Sequence, residues 1–317
     1  MAKRITAIDV HAGGGALRLI RDGWPEPDGA TMRDKLTYAS ARQDKLRRFL
    51  LREPRGHADL VGAVLTQPEH AGSSAGVLFM HNDGFAPFCG HGLLALARLL
   101  ATDGPLRLDT AVGSVTLSAR DEHVSFEGVP SFVFRGGVPV IVGGRPLMVD
   151  VAYGGAFYAF VDAEAAGLAV TSAKLPELRA KGDLIRETVE REIAIVHPTA
   201  PAAAGLDGVV FTGPASTDGA AVRSVTVFAD RAIDRSPNGA ATCALAAVLD
   251  AMGLADPAQP VVQESIVGAT FAAHIVSRTT VGDWPAIVPE LRGTAFLTGE
   301  HNFILEPRDP FPQGLPD

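Results

Sequence analysis

The chain has 317 residues, a length that suits two domains of ordinary size, each large enough to bury its own core. Acidic residues outnumber basic ones, 36 to 28, and no Lys/Arg cluster is interleaved with aromatic residues, which excludes a nucleic-acid surface because such a surface needs clustered cations. Only two cysteines are present, which excludes a disulfide framework and is typical of a reducing compartment.

The start of the chain carries two basic residues, Lys3 and Arg4, but no apolar run of roughly 7–15 residues follows them, so it does not have the pattern of a signal peptide. No apolar run elsewhere reaches the roughly 18 residues that predict a membrane span. We therefore expect a cytoplasmic protein that does not bind a membrane.

Short runs rich in β-branched residues, bounded by glycine, proline and aspartate, predict strands along most of the chain. In chain order these runs are 6–10, 16–20, 75–80, 114–117, 138–142, 156–162, 208–212 and 222–228. Two charged segments, 31–55 and 174–190, predict surface helices, and the first of them ends in a turn at 53–56.

Two apolar runs, 93–101 and 242–252, contain one charged residue each and predict helices that are buried on nearly all sides. Gly104 and Gly253 follow these runs, which predicts a left-handed C-terminal cap for each helix. We expect each half of the chain to form a sheet with one buried helix and one exposed helix.

The segments that open the two apolar runs align without a gap at an offset of 149 residues. The alignment pairs Gly90 with Gly239 and continues through five further identical pairs. Cys89 then stands where the repeat has Asn238. The pattern indicates a duplicated domain that carries a thiol in one half and a carboxamide in the other.

The chemistry of these two helix starts is that of a site for a small carboxylic acid. Unpaired backbone N–H groups and the positive dipole end of a helix stabilise a thiolate, so Cys89 can act as a base or a nucleophile. The amides of Gly90 and His91, and those of Gly239 and Ala240 on the other helix, suit a carboxylate. We expect a substrate clamped between two helix N-termini, with a side chain on either face of its α-carbon.

Two nearby residues have weaker signals. Cys243 lies five residues past Asn238, which places it about 7.5 Å further along a helix and about 140° around it, so we interpret it as a packing residue that does not replace a second thiol. Asp234 has two interpretations of equal weight: it holds a substrate ammonium group, or it only shapes the turn before the helix.

A metal site is not expected. The histidines at 57, 70, 81 and 91 do not have a spacing typical of zinc ligands, and the only cysteine near them is Cys89.

Eight segments spread over nearly the whole chain carry a family resemblance. They are 8–14, 53–59, 80–82, 89–92 (Cys-Gly-His-Gly), 152–155, 234–237 (Asp-Arg-Ser-Pro), 264–268 and 309–311. With them the chain resembles the proline racemase family, which includes hydroxyproline 2-epimerases and trans-3-hydroxy-L-proline dehydratases. The resemblance implies cofactor-independent chemistry at the α-carbon of a proline-type imino acid.

The same resemblance implies an α+β fold of two similar domains. Each is expected to be a curled, mostly antiparallel sheet around a buried central helix, as in diaminopimelate epimerase, with the active site in the cleft between the domains. The expected bounds are 1–130 together with 297–317 for the first domain and 131–296 for the second. The substrate is the one partner expected, and a homodimer is left open.

The resemblance also assigns roles to single residues. Cys89 matches the first catalytic cysteine, and Asn238 stands where racemases and epimerases have the second cysteine and dehydratases typically have threonine. The matching substrate-binding positions are Gly90, His91 and Gly239 for the carboxylate, Asp234 for the nitrogen, Phe228 for a pocket wall, and Val61 where racemases often have an aromatic residue. Ala240 replaces the usual threonine but keeps its backbone N–H.

Asn238 separates the reactions known in this family. Racemisation by two bases needs proton exchange on both faces of the α-carbon, and a carboxamide does not exchange protons as an acid or base near pH 7. In trans-3-hydroxy-L-proline the hydroxyl lies on the same ring face as the α-hydrogen, so one thiol can serve both departures. We predict dehydration to Δ1-pyrroline-2-carboxylate, with Cys89 as the base and Asn238 holding the hydroxyl, a water or the ring.

Other functions are left open by the residues. A proline racemase or 4-hydroxyproline 2-epimerase would need a water or another residue in place of the second thiol, and a catalytically silent protein would keep only the imino-acid clamp. A thiol hydrolase built on Cys89 and His91 is disfavoured, because residues so close in sequence rarely bring sulfur and imidazole into hydrogen-bonding geometry.

Overall fold

The structure is a computed structural model that describes residues 3–256 and 258–315. The chain divides into two compact units: unit 1 is Met1–Phe126 with Thr294–Asp317, and unit 2 is Glu127–Gly293. Residues 1–2, 257 and 316–317 of the two predicted domains lie outside the described residues.

The described residues of unit 1 form three helices and a larger number of short strands. The helices are α1 (Met32–Arg42), α2 (Asp44–Leu51) and α3 (Gly90–Leu100). The strands are β1 (Lys3–Ala12), β2 (Gly15–Asp22), β3 (Val61–Thr66), β4 (Ala75–Met80), β5 (Phe85–Ala86), β6 (Leu106–Thr110), β7 (Gly113–Arg120) and β8 (His123–Glu127).

Unit 2 contains two α-helices, α4 (Leu175–Glu192) and α5 (Gly239–Ala251), and a 3₁₀ turn at Ser172–Lys174. Its strands are β9 (Ser131–Val142), β10 (Arg145–Tyr153), β11 (Phe157–Asp162), β12 (Gly208–Gly213), β13 (Val222–Phe228), β14 (Ile233–Asp234), β15 (Val261–Ser265), β16 (Thr270–Val281) and β17 (Trp284–Leu305). The long strand β17 pairs first with β16 and then, beyond Thr294, with β1.

The two units have the same strand topology. In unit 1, β1 is antiparallel to β2, β2 parallel to β3, β3 antiparallel to β4, β4 antiparallel to β5 and parallel to β6, and β6 antiparallel to β7. The corresponding strands β10 to β16 of unit 2 repeat every one of these pairings in order. The duplication indicated by the sequence is confirmed, with α3 and α5 in equivalent places of their units.

Each unit buries one apolar helix against its sheet, as predicted. All residues from Gly90 to Ala97 of α3 are buried, and so are all residues from Gly239 to Val248 of α5. Helix α5 contacts β9, β10 and β11 as well as β15 and β16, so strands from both ends of the unit pack on it. The predicted α+β class, with mostly antiparallel curled sheets around a central helix, is confirmed.

The predicted glycine caps have different outcomes. Gly253 follows α5 with φ +69, and the amides of Gly253 and Leu254 donate to the carbonyls of Asp250 and Leu249, which is the hydrogen-bond pattern of a Schellman motif. The prediction for Gly104 is wrong, because α3 ends at a C-cap on Ala101 and Gly104 lies in the turn three residues later.

The strand prediction was correct but incomplete, since eight of the seventeen described strands carry a predicted run. Every predicted strand run lies on a strand, except that Ala156 precedes β11 by one residue. The charged segment 31–55 forms two helices rather than one. Gln43 lies between them as the C-cap of α1 and the N-cap of α2. Thr31 starts α1 with a capping box in which Thr31 and Asp34 satisfy each other's backbone amides.

None of the described helices is long and apolar enough to cross a membrane.

Candidate active site

Cys89 is the N-cap residue of α3. Its backbone is extended (φ −151, ψ 107), its side chain makes no capping hydrogen bond, and it is 6% exposed. The Sγ atom lies 3.8 Å from both ring nitrogens of His91, so sulfur and imidazole are in contact. A sulfur atom in line with the hydrogen-bonding direction of one ring nitrogen would lie much farther from the other nitrogen. Because the two distances are equal, the sulfur lies off the hydrogen-bonding direction of both nitrogens. The contact does not have the in-line geometry by which imidazole takes a thiol proton.

The packing around the thiol requires glycine at the third position of α3. A Cβ atom added to Gly92 would lie 2.7 Å from Cε1 of Phe79 and 3.1 Å from Sγ of Cys89. Phe79 is fully buried on β4 beneath this turn. Gly92 therefore allows the first turn of α3 to pack directly on the Phe79 ring without displacing Cys89 Sγ.

Both helix starts offer first-turn amides to an anion. The first intrahelical bond of α3 runs from Leu93 N–H to the Cys89 carbonyl at 2.9 Å, and the first of α5 runs from Thr242 N–H to the Asn238 carbonyl at 2.8 Å. The amides before these bonds point out of the helix, which is how a helix N-terminus binds a carboxylate. The predicted carboxylate residues lie in these two turns: Gly90 and His91 in unit 1, and Gly239 and Ala240 in unit 2.

Asn238 is the N-cap residue of α5, and it differs from Cys89 in backbone as well as in side chain. Its φ of +62 lies in the left-handed region, which asparagine tolerates better than most residues. Its Oδ1 accepts the Ala241 amide proton at 3.0 Å. Its Nδ2 is buried and has no hydrogen-bond partner within residues 3–256 and 258–315. The Nδ2 group of Asn238 is thus a buried donor without a partner among the described residues, and its role toward a substrate stays a prediction.

The turn before α5 is built from side-chain hydrogen bonds to backbone amides. Asp234 Oδ1 accepts the Ser236 amide at 2.8 Å, and Ser236 Oγ accepts the Asn238 amide at 3.1 Å. Asp234, Ser236 and Asn238 are all at least 95% buried. Asp234 therefore shapes the turn, and its role toward a substrate nitrogen stays a prediction.

Gln263 on β15 is a polar residue of this region that the sequence did not reveal. It is fully buried, and its Nε2 donates to the Pro237 carbonyl at 2.7 Å and to Ser224 Oγ at 2.6 Å. A single glutamine inside a strand sequence has no distinguishing motif. The sequence repeat at an offset of 149 places Ser114 opposite Gln263, so it gives no contrast with an apolar residue.

Cys243 is the packing residue that the sequence predicted. It is 1% exposed, and burial raises the pKa of its thiol to about 12. A thiol with that pKa supplies no thiolate at neutral pH, so Cys243 has no part in base chemistry.

The two remaining predicted residues lie on strands. Val61 begins β3 and is 3% exposed, and Phe228 ends β13 and is half-buried. Their places in a substrate pocket stay predictions. Among the described residues, no group of three or more His, Cys, Asp or Glu side chains is arranged to hold a metal ion.

Comparison with known proteins adds the decisive observation: residues 7–316 match the sequence profile of the family described as proline racemase. The chain belongs to the proline racemase family. The family resemblance drawn from the sequence is therefore confirmed, and within this family known members act as lyases or as isomerases.

Relatives within the proline racemase family have more than one activity. The chain is 37% identical to the trans-3-hydroxy-L-proline dehydratase of Bacillus thuringiensis subsp. konkukian, over 99% of this chain and 98% of that protein. It is 32% identical to the 3-hydroxyproline 2-epimerase of Burkholderia multivorans, with coverage of 99% and 98%. The solved structure of a hydroxyproline epimerase from Agrobacterium vitis, with bound trans-4-hydroxy-L-proline, matches with a TM-score of 0.91 at 29% identity, over 98% of this chain and 94% of that one.

Proposed function

We propose that the protein is a cofactor-independent lyase that dehydrates trans-3-hydroxy-L-proline to Δ1-pyrroline-2-carboxylate. Cys89, as thiolate, takes the proton from the α-carbon. The bond between C3 and its hydroxyl oxygen breaks, a double bond forms between the α-carbon and C3, and the proton leaves with the hydroxyl as water. The resulting enamine tautomerises to the imine product.

The observation that carries this proposal is the state of Asn238 at the second helix start. A two-base racemase needs a second group that gains and loses a proton, and a carboxamide does neither near pH 7. Its Oδ1 already accepts the Ala241 amide, whereas the N–H donors of Nδ2 have no partner among the described residues and are the groups proposed to meet the substrate. A donor holds the hydroxyl, a bound water or the ring, and elimination needs no second base.

The stereochemistry of the substrate agrees with a single base. In trans-3-hydroxy-L-proline the α-hydrogen and the hydroxyl share one ring face, so one thiol can take the proton and return it to the departing oxygen. The full-length dehydratase relatives at 33–37% identity support the same choice.

The carboxylate of the substrate is assigned to the first-turn amides of α3 and α5, and its nitrogen to Asp234. The assignment follows the proline racemase family position by position. It needs neither a metal nor an organic cofactor, since the thiol supplies the base and the helix ends supply the positive potential.

A second candidate is a 4-hydroxyproline 2-epimerase or proline racemase, favoured by the Agrobacterium vitis structure with its bound trans-4-hydroxy-L-proline. In that case a water or another residue would deliver the second proton. The two candidates differ in product: the lyase consumes the 3-hydroxyl group, and the isomerase inverts the α-carbon and keeps every substituent.

The test is incubation of the purified protein with trans-3-hydroxy-L-proline and detection of Δ1-pyrroline-2-carboxylate. Cys89→Ser is expected to abolish turnover, and Cys243→Ser, which removes the other buried thiol, is the matched control and keeps it. Absence of product from the unmodified protein, or equal rates with and without Cys89, would refute the proposal.

A further inference from the structure

The repeated topology allows residues beneath the two helix starts to be compared one by one. Gly76 of β4 pairs with Asp109 of β6, and in unit 2 Arg223 of β13 pairs with Glu264 of β15. The carboxylates of Asp109 and Glu264 both accept hydrogen bonds from two backbone amides, in the loop before β4 and in the loop before β13 respectively. Asp109 and Glu264 are therefore equivalent, and the residue before Glu264, which is Gln263, is equivalent to the residue before Asp109.

Three equivalent buried positions on the paired strands have apolar side chains in unit 1 and polar side chains in unit 2. All of them are at most 1% exposed. In unit 1 they are Val77, Phe79 and Leu108, and in unit 2 they are Ser224, Thr226 and Gln263. The sheet beneath the thiol helix is thus apolar, whereas the sheet beneath the Asn238 helix is polar.

The polar side chains of unit 2 hold one peptide group, the one between Pro237 and Asn238, at both ends. Its carbonyl oxygen accepts from Gln263 Nε2 at 2.7 Å, and its N–H donates to Ser236 Oγ at 3.1 Å. The orientation of this peptide plane sets φ of Asn238. In unit 1 the equivalent of Gln263 is Leu108, which has no donor, and Cys89 has the ordinary extended φ of −151.

We propose that Gln263 is a positioning residue for catalysis: it holds the Pro237 carbonyl, keeps Asn238 in the left-handed conformation, and so aims the Asn238 amide donor at the substrate. The proposal rests on the proposed function insofar as that function gives Asn238 a substrate to hold. In the proposed role Gln263 acts through Asn238, since its Nε2 donates to the Pro237 carbonyl and to Ser224 Oγ.

The energetics of the region favour a functional reason for its polarity. A positive φ is less favourable than an extended backbone for a residue with a side chain, although asparagine tolerates it better than most residues. Gln263 Oε1 and Thr226 Oγ1 are buried without a hydrogen-bond partner among the described residues, and so is Asn238 Nδ2. An apolar set like that of unit 1 would leave neither Gln263 Oε1 nor Thr226 Oγ1 buried without a partner, and a catalytic role is one recognised reason for a native structure to keep such groups.

The experiment uses Gln263→Met, which keeps the side-chain volume and removes the donor. A matched control is Gln43→Met, because Gln43 is also a buried glutamine, accepts from Trp24 Nε1 at 2.8 Å and donates to the Pro25 carbonyl at 2.9 Å. Ser236→Ala is a second, smaller variant that releases the other end of the peptide group. Unfolding temperature is recorded for all three proteins.

In steady-state dehydration of trans-3-hydroxy-L-proline, Gln263→Met is expected to lower kcat/KM about 100-fold, the scale of a displaced catalytic group, while Gln43→Met changes it by less than about threefold. In the background of Asn238→Ala, Gln263→Met is expected to lower kcat/KM no further, because Gln263 acts through the Asn238 donor, which that background already lacks. Losses that multiply in the double variant, or equal losses from both glutamine variants, would overturn the positioning role.

A crystal structure of Gln263→Met gives a readout that does not depend on any reaction. We expect φ of Asn238 to become negative, as in Cys89, and a left-handed Asn238 in that variant would overturn the proposal. If the unmodified protein does not dehydrate the substrate, the proposed function fails, and the backbone of Gln263→Met and Ser236→Ala still decides the role of Gln263.

Discussion

The side-chain oxygen of Asn238 accepts a hydrogen bond from the Ala241 amide at 3.0 Å, so one half of this carboxamide caps α5, while the buried Nδ2 of the other half has no partner among the described residues. Cys89, at the same place on α3, makes no such capping bond. A substitution at Asn238 can therefore remove the donor of the side chain while keeping its capping oxygen.

Asn238→Asp keeps an acceptor for the Ala241 amide and loses both donors. We expect its unfolding temperature to stay close to that of the unmodified protein, while kcat/KM for dehydration falls at least about tenfold, since a charge-free donor becomes an acceptor. Asn238→Ala loses the cap as well and is expected to be less stable by about 1 kcal/mol. Full activity in Asn238→Asp would contradict a donor role.

Asn238→Gly tests the left-handed backbone apart from the side chain. Glycine adopts positive φ without strain and costs only a few tenths of a kcal/mol at an N-cap. We expect Asn238→Gly to be more stable than Asn238→Ala and to lose a similar part of kcat/KM. Thermal unfolding of the two variants measures this directly, and the reverse order of stability would show that φ of +62 is not retained in solution.

Gly92→Ala tests the packing of the thiol. The added methyl group would lie 2.7 Å from the Phe79 ring and 3.1 Å from Cys89 Sγ. Overpacking of this kind costs about 1–3 kcal/mol, although alanine is the better helix former. We expect lower stability and at least a tenfold loss of activity. Gly72→Ala is the control, because a Cβ at Gly72 has no atom within 4 Å, and it should change neither quantity.

Acid stability is predicted to depend on Asp109. Burial raises the pKa of this carboxyl, but hydrogen bonds from Ser114, the His70 amide and Ser73 outweigh burial and lower the pKa from 3.8 to about 2. A carboxyl whose pKa is lower in the folded state stabilises the protein above pH 3.8, and the stabilisation is lost as pH falls from about 4 to about 2.

The predicted size of this contribution is about 2 kcal/mol, since each pKa unit corresponds to about 1.4 kcal/mol. Asp109→Asn is expected to lower the free energy of unfolding at pH 7 and to flatten its dependence on pH between about 4 and 2. Denaturant unfolding at several pH values measures both effects. An unchanged slope in this range would mean that Asp109 titrates normally.

The two cysteines are predicted to differ in reactivity. Cys243 has a pKa of about 12 and is 1% exposed, so it is expected to resist iodoacetamide at pH 8 in the folded protein. We expect one adduct, on Cys89, by mass spectrometry, and none in Cys89→Ser. Modification of Cys243 without unfolding would contradict the packing role.

The sequence determined the buried helices and many strands because apolar runs and β-branched runs reflect local burial. It also revealed the match of Cys89 and Asn238, since the repeat preserves the spacing around both. Gly253 was predicted as a cap and forms one, while Gly104 was placed wrongly because a turn of three residues separates it from the end of α3.

Features that depend on distant pairing were not predictable. Gln263 donates to the Pro237 carbonyl, which lies 26 residues away in sequence. Its match with an apolar residue of unit 1 is found only by comparing the register of β13 and β15 with that of β4 and β6. Strand β17 was missed as well, because its 22 residues pair with β16 and β1 in turn and show no continuous alternation. Neither the positive φ of Asn238 nor its buried donor has a sequence signature.

The central claim is that one thiol and one carboxamide donor carry out elimination rather than inversion. The most direct measurement is an NMR analysis of trans-3-hydroxy-L-proline incubated with the purified protein in D₂O. The account predicts Δ1-pyrroline-2-carboxylate as the product, with no cis-3-hydroxy-D-proline at any time. Accumulation of cis-3-hydroxy-D-proline with its hydroxyl intact and deuterium at the α-carbon would contradict it.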